Sequence, residues 1–256
     1  MTTVSVIMNC FKRTRWFEEQ LNAVENQSHK PNEILAWQNQ VPGYEIEKSL
    51  TDRTIYSNCN SNLGVWARFA YALNCRSDYI CVLDDDTIPG KRWLENCIQT
   101  YESNEDVGLL GTVGVVFGDK HYSWQKLRRL GWCEPNEETT KVDIVGHSWF
   151  FHRDMLSAFW RDLPPKDYIP IVGEDIHFAH MVQKYAGKGT YVPPHPKEDM
   201  ELWGSIKGND YGHSDEGISM TQYQSSDGQK FTAGMLMGHV LSNKVDNEGF
   251  KLLEVE

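Results

Sequence analysis

The sequence has no apolar run long enough to cross a membrane and no excess of basic charge. A membrane-spanning helix needs roughly 20 consecutive apolar residues, and no stretch of this chain approaches that length. The formal net charge of −11 argues against general nucleic-acid binding, which requires a basic face. Residues 1–8 lack the basic segment and the small-residue cleavage site of a secretion signal. We therefore predict no transmembrane segment, no secretion signal and no nucleic-acid partner.

The six cysteines are scattered, and no two of them form a Cys-x-x-Cys motif. In a chain of 256 residues, this pattern predicts reduced, structural thiols in a reducing compartment, and hence a cytoplasmic protein. The hydrophobic content of 40% is ordinary for a soluble globular protein. Because no clear linker divides the chain, we predict a single domain over residues 1–256.

Helical and strand-like periodicities alternate through the first half of the chain. Strands are predicted over residues 4–8, 33–37, 54–56 and 80–83, and helices over about 16–25, 62–73 and 93–102. This β-α alternation predicts an α/β fold with a mostly parallel central sheet and helices on both faces. The second half is more mixed, with strands predicted over 107–117, 142–151 and 190–192, a helix over 155–161, and residues 171–175 leading into a helix that runs through residue 185.

Three adjacent carboxylates, Asp84, Asp85 and Asp86, follow the apolar run Ile80 to Leu83 and precede the turn at Pro89. Adjacent carboxylates repel one another, and a hard divalent cation is their usual compensation. The carboxyl end of a strand is also where open α/β sheets bind their ligands. We therefore favour a metal-diphosphate site over the alternative, a solvated acidic turn.

Four segments, in their order along the chain, resemble those of the GT-A superfamily of nucleotide-sugar glycosyltransferases, most of all the family 2 type. They are Val4 to Arg13, Asn62-Leu63-Gly64 with Ala67-Arg68, Leu83 to Asp86, and Gly173-Glu174-Asp175. The resemblance spans about residues 4–192 and implies a Rossmann-like GT-A fold. It divides the domain into a nucleotide-binding half (about 1–106), an acceptor half (about 107–214) and a C-terminal extension (about 215–256).

The same resemblance implies a metal-dependent transfer of a sugar from a nucleotide-sugar donor, a UDP-sugar, to a glycan or other hydroxyl acceptor. Mn²⁺ or Mg²⁺ would be held by Asp86 and Asp84, with His195 as third ligand and His213 as its rival. The donor-binding set would be Phe11, Arg13, Asn39, Asn62, Arg68, Asp84, Asp85, Trp203 and Lys207. Trp203 and Lys207 belong to a segment that would close over the diphosphate.

Asp175 is the catalytic base that the resemblance implies, with Glu174 binding acceptor hydroxyls. An acceptor hydroxyl needs a positioned carboxylate to take its proton as the new bond forms. The plain alternative is that both residues cap the helix that starts there.

Several residues keep a structural alternative. Strand geometry would point Asp85 away from its two neighbours, so a structural hydrogen-bonding role is favoured for it. Arg68 either pairs with the acids or the diphosphate, or forms a surface salt bridge. Trp149 either stacks on a sugar or packs in the core, and the core is the commoner place for an aromatic in an apolar strand.

The chain also departs from the family 2 pattern. Phe11-Lys12 replaces the usual aromatic-Asn pair, and Gln38-Asn39 stands where an acid is common. The Asp triplet and the Glu-Asp-Ile sequence at 174–176 are also similar to exostosin-type enzymes, which retain anomeric configuration, whereas the family 2 resemblance implies inversion.

Two other functions are considered. A sugar-nucleotide nucleotidyltransferase would need a Gly-rich loop after the first strand, and Asn9 to Arg13 contains no glycine. A non-catalytic carbohydrate-binding protein would not account for the cost of the acidic residues. The basic and aromatic segment 121–132, in an otherwise acidic chain, is predicted to form an acceptor-side loop.

Overall fold

The computed structural model describes residues 2–39, 42–123, 125–164, 171–212, 222–224 and 230–254. Its strands are β1 (Val4–Cys10), β2 (Glu33–Asn39), β3 (Ile55–Cys59), β4 (Tyr79–Leu83), β5 (Val107–Leu110), β6 (Val113–Val116), β7 (Arg128–Gly131), β8 (Thr140–Val142), β9 (Ile144–Gly146), β10 (Ser148–His152), β11 (Gly189–Val192), β12 (Gln222–Gln224) and β13 (Lys230–Thr232). Its α-helices are α1 (Phe17–Glu25), α2 (Lys48–Thr51), α3 (Ala67–Tyr71), α4 (Trp93–Ser103), α5 (Met155–Phe159), α6 (Glu174–Met181), α7 (Gly208–Tyr211) and α8 (Ala233–Glu248).

Eight strands form the central sheet, in the order β3-β2-β1-β4-β10-β5-β11-β8. β1 to β4 run parallel to one another, and β5 runs parallel to β11. β10 is inserted antiparallel between β4 and β5, with Ser148 opposite Leu83. The predicted α/β fold with a mostly parallel sheet is confirmed, and the antiparallel β10 places its first residue beside the end of β4.

Helices cover both faces of this sheet, as predicted. Alternate residues of β4 point to opposite sides, so Ile80 and Val82 pack with helices α3, α5 and α6. Cys81 and Leu83 pack with helices α1 and α4. The helix predicted over about 62–73 is shorter than expected: α3 ends at Tyr71, a 3-10 turn, Ala72–Asn74, follows, and Leu73 is 55% exposed.

The single strand predicted over 142–151 is wrong. The run forms β8 and β10 of the central sheet, and between them β9, which belongs to a small sheet of order β7-β6-β9. The chain changes sheet at Gly146 and His147, where His147 has a φ of +62°. Since both sheets bury apolar residues, the apolar pattern does not reveal where one strand ends and the next begins.

The C-terminal helix α8 packs against α6. Its residues Leu236, Met237 and Leu241 are buried in one cluster with Ile176 and Ala179. The Ser242 hydroxyl donates to the carbonyl of Lys120 at 2.6 Å. Helix α8 therefore joins the segment around residue 120 to the start of α6.

Three buried histidines, His177, His180 and His195, make the protein sensitive to acid. Burial lowers the pKa of each to about 4, below the usual histidine value of about 6.5. The unfolded chain therefore binds more protons than the folded one as the pH falls from about 6.5 to about 4, and stability is lost over that window. The cost approaches about 3 kcal/mol for each histidine.

His177→Gln isolates this effect, since His177 lies in the core with its Nε2 2.8 Å from the Phe159 carbonyl oxygen. The variant should be less stable than wild type at pH 7, and the gap should narrow by about 3 kcal/mol at pH 4. Urea unfolding at both pH values measures the gap. If the difference in unfolding free energy between wild type and variant is the same at pH 7 and pH 4, His177 is not a buried neutral imidazole.

Candidate active site

The acidic triplet lies at the carboxyl end of β4, as predicted, and its charges are balanced by two arginines. The Arg13 guanidinium donates from Nη1 to Asp86 Oδ2 at 2.7 Å and from Nε to Asp85 Oδ1 at 2.7 Å. The Arg68 guanidinium pairs with Asp84. The sequence alone suggests that the three carboxylates repel one another. In the structure, the positive charges of Arg13 and Arg68 offset that repulsion.

Asp85 holds the loop that follows β1. Its Oδ2 accepts hydrogen bonds from the backbone N–H of Phe11 at 3.0 Å and of Arg13 at 3.3 Å. Only 7% of Asp85 is exposed. This geometry favours the structural role for Asp85 and ties Phe11 and Arg13 to the acidic segment.

Arg68 is buried, so the surface salt bridge considered for it is wrong. Its Nε donates to the Val65 carbonyl at 2.9 Å, and its guanidinium stacks over the Trp149 ring at 4.8 Å. Its Nη2 lies 3.8 Å from Glu174 Oε1. Arg68 therefore connects the acids after β4 with the start of α6, and Trp149, 2% exposed, is a core residue.

His147 lies beside the acids and completes a group that could hold a metal ion. One ligand atom each from Asp84, Asp86 and His147 lies within 4.8 Å of the others. The His147 carbonyl accepts from Asp84 N at 3.0 Å and from the Thr87 hydroxyl at 2.9 Å. These bonds hold a non-glycine residue in the left-handed region, a strain that is found often at functional sites.

The chemistry of this group fits Mn²⁺ or Mg²⁺. Carboxylate oxygens with an imidazole nitrogen are suitable ligands for such ions. Burial raises the pKa of Asp86, but the facing His147 and Arg13 outweigh it and hold that pKa well below its usual range. Burial lowers the pKa of His147, but Asp86 outweighs burial and raises it. Asp86 is therefore ionised, as a carboxylate ligand must be, and a cation would take the place of the proton on His147.

His195, predicted as the third ligand, does not lie in this group. It is fully buried, and its Nε2 accepts a hydrogen bond from Gly204 N at 3.0 Å. Its Nδ1 therefore carries the proton and donates to the Pro193 carbonyl at 2.9 Å. Both nitrogens are engaged, and it is His147, in place of His195, that lies in the group that could hold a metal ion. The rival, His213, lies outside the described residues.

The sequence analysis does not identify His147 as a site residue, because it lies within the single strand predicted over 142–151. The signal was present in Gly146-His147, a polar interruption of the apolar run from Val142 to Phe151.

Asn39 and Asn62 form the wall of a cleft beside the acids. Asn39 Nδ2 donates to Asn62 Oδ1 at 2.7 Å, and Asn39 Oδ1 accepts from Leu63 N at 2.8 Å. The cleft is lined by Asn9, Phe11, Asn39, Asn62, Gly64, Val65, Arg68 and Ile171. Among the described residues, the buried Asn9 Oδ1 has no hydrogen-bond partner. Asn9 Oδ1 is therefore an unpaired acceptor buried at the wall of the cleft, and five predicted donor-site residues (Phe11, Arg13, Asn39, Asn62 and Arg68) lie around the cleft or next to it.

Trp203, from the segment predicted to close over the diphosphate, is buried in the structure. Its Nε1 donates to the Pro196 carbonyl at 2.8 Å, and its carbonyl accepts from Gly90 N at 2.9 Å. It packs with Trp132 and Val113, because an indole of this size gains most from burial. Lys207 is half-buried and precedes α7.

Helix α7 is also anchored to α1. The Tyr211 ring stacks on Trp16 with centroids 4.0 Å apart, and its hydroxyl donates to Glu19 Oε2 at 2.7 Å.

Glu174 and Asp175 start α6, behind Gly173 with its φ of +89°. Burial, and next the charge of Asp175, raise the pKa of Glu174. Burial also raises the pKa of Asp175, against the hydrogen bond that Ile176 N donates to Asp175 Oδ1 at 2.7 Å. A carboxylate with a raised pKa binds a proton more readily, as a general base must.

Gly173→Ala should disturb this helix start. A Cβ at Gly173 would lie 3.1 Å from Val240 Cγ1, in a backbone conformation that L-residues rarely adopt. We expect a loss of about 1–3 kcal/mol in the free energy of unfolding, measured by urea titration. Gly146→Ala is the control, because its Cβ would meet nothing within 4 Å. An equal effect of the two changes would contradict the strain at Gly173.

Comparison with known proteins agrees with the geometry. The model of the family described as Glycosyl transferase family 2 matches residues 5–162, more than half of the chain. No curated protein matches the sequence significantly.

Among solved structures, one of S. aureus TarS is similar at 13% identity and a TM-score of 0.51, covering 75% of this chain and 37% of that one. A structure of S. aureus TarS 1–349 shows 14% identity and a TM-score of 0.49, covering 75% of this chain and 60% of that one. This chain therefore spans less than two thirds of either. At such identity the likeness concerns the fold.

Proposed function

The chain belongs to glycosyl transferase family 2, and we propose that it moves a sugar from a UDP-sugar to a hydroxyl acceptor with Mn²⁺ or Mg²⁺ and with inversion. It is a glycosyltransferase of GT-A fold. The observation that carries the proposal is the group formed by Asp84, Asp86 and His147, next to the amide-lined cleft. No helix in the described parts of the chain is long and apolar enough to span a membrane.

The donor would lie with its nucleoside in the cleft and its diphosphate beside the acids. Asn39 and Asn62 keep the cleft wall in shape, and Asn9 Oδ1 is a buried acceptor beside that wall. Asp86, Asp84 and His147 would hold the cation. The cation would supply positive charge to the departing nucleoside diphosphate.

Arg13 and Arg68 orient the acids in this proposal. Each guanidinium is engaged by carboxylates, so the two residues position the ligands of the cation more than they contact the donor. Asp85 stabilises the loop of Phe11 and Arg13 in the same way.

Asp175 would take the proton of the acceptor hydroxyl. Its raised pKa and its place at the start of α6 support this role. Arg68, which contacts both Asp84 and Glu174, fixes the distance between the donor side and the base. An inverting transfer requires the base opposite the leaving group, and the resemblance of Gly173-Glu174-Asp175 to a family 2 motif supports Asp175 as that base.

The rival functions make different use of the same residues. A retaining, exostosin-like transfer would keep the cation site and not require Asp175 as base. A nucleotidyltransferase would release pyrophosphate from a nucleoside triphosphate. A binding protein would turn over neither substrate. From the scattered cysteines of the sequence we also propose a reducing, cytoplasmic compartment.

A turnover screen tests the proposal. Sugar nucleotides with different bases are incubated with Mn²⁺, with Mg²⁺ or with a chelator, and the release of nucleoside diphosphate is followed. We expect release from a UDP-sugar that the chelator abolishes. Pyrophosphate release from a triphosphate, or no turnover of any sugar nucleotide, would contradict it.

A further inference from the structure

An open cavity of about 470 Å³ lies at strand β7, apart from the amide-lined cleft. It is lined by Leu127, Arg128, Arg129, Cys133 and Glu134. Two consecutive arginines at one cavity are unusual in a chain with a formal net charge of −11. The cavity is therefore a candidate site for a negatively charged group.

The two lysines of this segment form ion pairs with carboxylates outside it. Residues 120–133 contain two lysines and two arginines but no carboxylate. Lys120 pairs with Asp246 at 2.5 Å, and Lys126 pairs with Asp119 at 2.9 Å. The two arginines are thus the cations of the segment that line the cavity.

Arg128 has only a weak carboxylate neighbour. Its Nε lies 3.9 Å from Glu134 Oε2, and the two side chains are 64% and 59% exposed. Pairs of this kind contribute little, since water screens both charges. A ligand with a phosphate or a carboxylate can displace such a contact at little cost and form paired hydrogen bonds with the guanidinium.

Arg129 connects the cavity to the proposed base. Burial, then the Asp175 carboxylate, raise the pKa of Tyr122, and the Arg129 guanidinium opposes them, so Tyr122 lies within electrostatic reach of both. Arg129 is paired in register with Val115 of β6, and Val115 is in one buried cluster with Ile176, the residue after Asp175. The cavity is therefore on the side of Asp175.

The backbone around this connection is held in place. Tyr122 has a φ of +56°, and α8 approaches it closely, since a Cβ at Gly238 would lie 3.1 Å from the His121 carbonyl oxygen. Helix α8 thus fixes the turn that carries Tyr122 as well as the start of α6.

We propose that Arg128 and Arg129 form a subsite for an anionic group, a phosphate or a carboxylate, carried by the acceptor. The inference rests on the proposed function and adds the chemical class of the acceptor. The diphosphate of the donor has its own site at Asp84, Asp86 and His147. A second cationic site beside Asp175 would hold a charged acceptor with its hydroxyl toward the base.

Calorimetry of the whole chain, with the donor site filled by UDP and Mg²⁺, tests the subsite. The probes are glycerol 3-phosphate, glycerate and glycerol, which differ only in the charged group. We expect saturable binding of at least one charged probe and none of glycerol. The charged probe that binds more tightly identifies the group as phosphate or carboxylate. Absence of saturable binding by both charged probes would overturn the proposal.

Matched variants locate the binding. The double variant Arg128→Gln with Arg129→Gln should lower the affinity for the charged probe by at least about tenfold, because one or more charge-assisted hydrogen bonds are lost. Lys120→Gln with Lys126→Gln changes the net charge equally in the same segment and should leave the affinity within about twofold. Equal weakening by both double variants would show a general charge effect and contradict the subsite. Arg128→Gln alone, at an exposed position, repeats the test if the double variant unfolds.

Failure of the proposed function is recognised separately. If UDP and Mg²⁺ do not bind, the donor assignment fails, and the same probes titrated into the protein alone still test the arginines. If the arginine variant instead loses affinity for UDP, the arginines belong to the donor site, and the anionic acceptor subsite is wrong.

Discussion

Asp175→Asn is expected to reduce the rate of sugar transfer by about 10²–10⁴-fold, the usual contribution of a general base. The affinity for UDP and Mn²⁺ should stay near that of wild type, because in the proposed mechanism Asp175 takes the acceptor proton and the donor would lie on the other side of Arg68. Asparagine keeps the size of the side chain and can still accept from Ile176 N. It removes only the basic carboxylate.

Transfer kinetics and calorimetric UDP binding, measured on the same preparation, check this result. Asp154→Asn is the control, since Asp154 is an 81% exposed aspartate at the start of another helix, α5. The control should keep both activities. A variant at Asp175 that keeps the wild-type rate, or that loses donor binding in parallel with transfer, would contradict the role of base.

The pH profile and the product add to this test. The pKa of Asp175 is raised by burial, and the base must be unprotonated to act, so transfer should fall as the pH drops through that raised pKa. NMR of the product from a UDP-α-sugar should show a β-linkage. An α-linked product would contradict inversion and favour the exostosin-like alternative.

Asp86→Asn is expected to abolish the metal-dependent part of UDP binding and leave the protein folded. Asp86 is 3% exposed and faces both Arg13 and His147, so its carboxylate is the most enclosed negative charge at the site. An amide is a poor ligand for a hard cation by comparison. The lost partner of Arg13 should cost about 1–3 kcal/mol of stability.

Two histidine variants make this prediction specific. His147→Ala should weaken metal-dependent UDP binding in the same direction as Asp86→Asn. His195→Gln should leave it unchanged, although the buried imidazole contributes to stability. Calorimetry with Mn²⁺ present and absent distinguishes them. Loss of metal dependence in His195→Gln alone would restore His195 as the ligand.

The parts of the fold that the sequence predicted are those with strong local periodicity. The run Ile80 to Leu83 is apolar because both faces of β4 are covered, and its abrupt change to three acids marks the edge of the sheet. A sequence motif identified Arg68 as a candidate site residue. Its burial could not be predicted, because helix α3 is too short for its periodicity to distinguish a buried arginine from an exposed one.

The missed features depend on contacts between distant segments. β10 enters the sheet antiparallel, which its apolar residues do not indicate, and this entry is what brings His147 to Asp86. Trp203 was read as part of a mobile cover because its segment is rich in glycine. The same glycines let the segment pack closely: a Cβ at Gly208 would lie 2.4 Å from Trp132 Cδ2. In this segment the glycines therefore indicate close packing of the backbone against Trp132, and not mobility.

One measurement tests the central claim, that the cleft and the acids form a metal-dependent donor site. UDP is titrated calorimetrically into the wild-type protein with Mn²⁺ and again with a chelator in excess. We predict saturable binding of one UDP per chain with Mn²⁺ and an affinity lower by at least about tenfold in the chelator, the effect of losing the charge that faces the diphosphate. Equal affinity under the two conditions, or no binding in either, would contradict the claim.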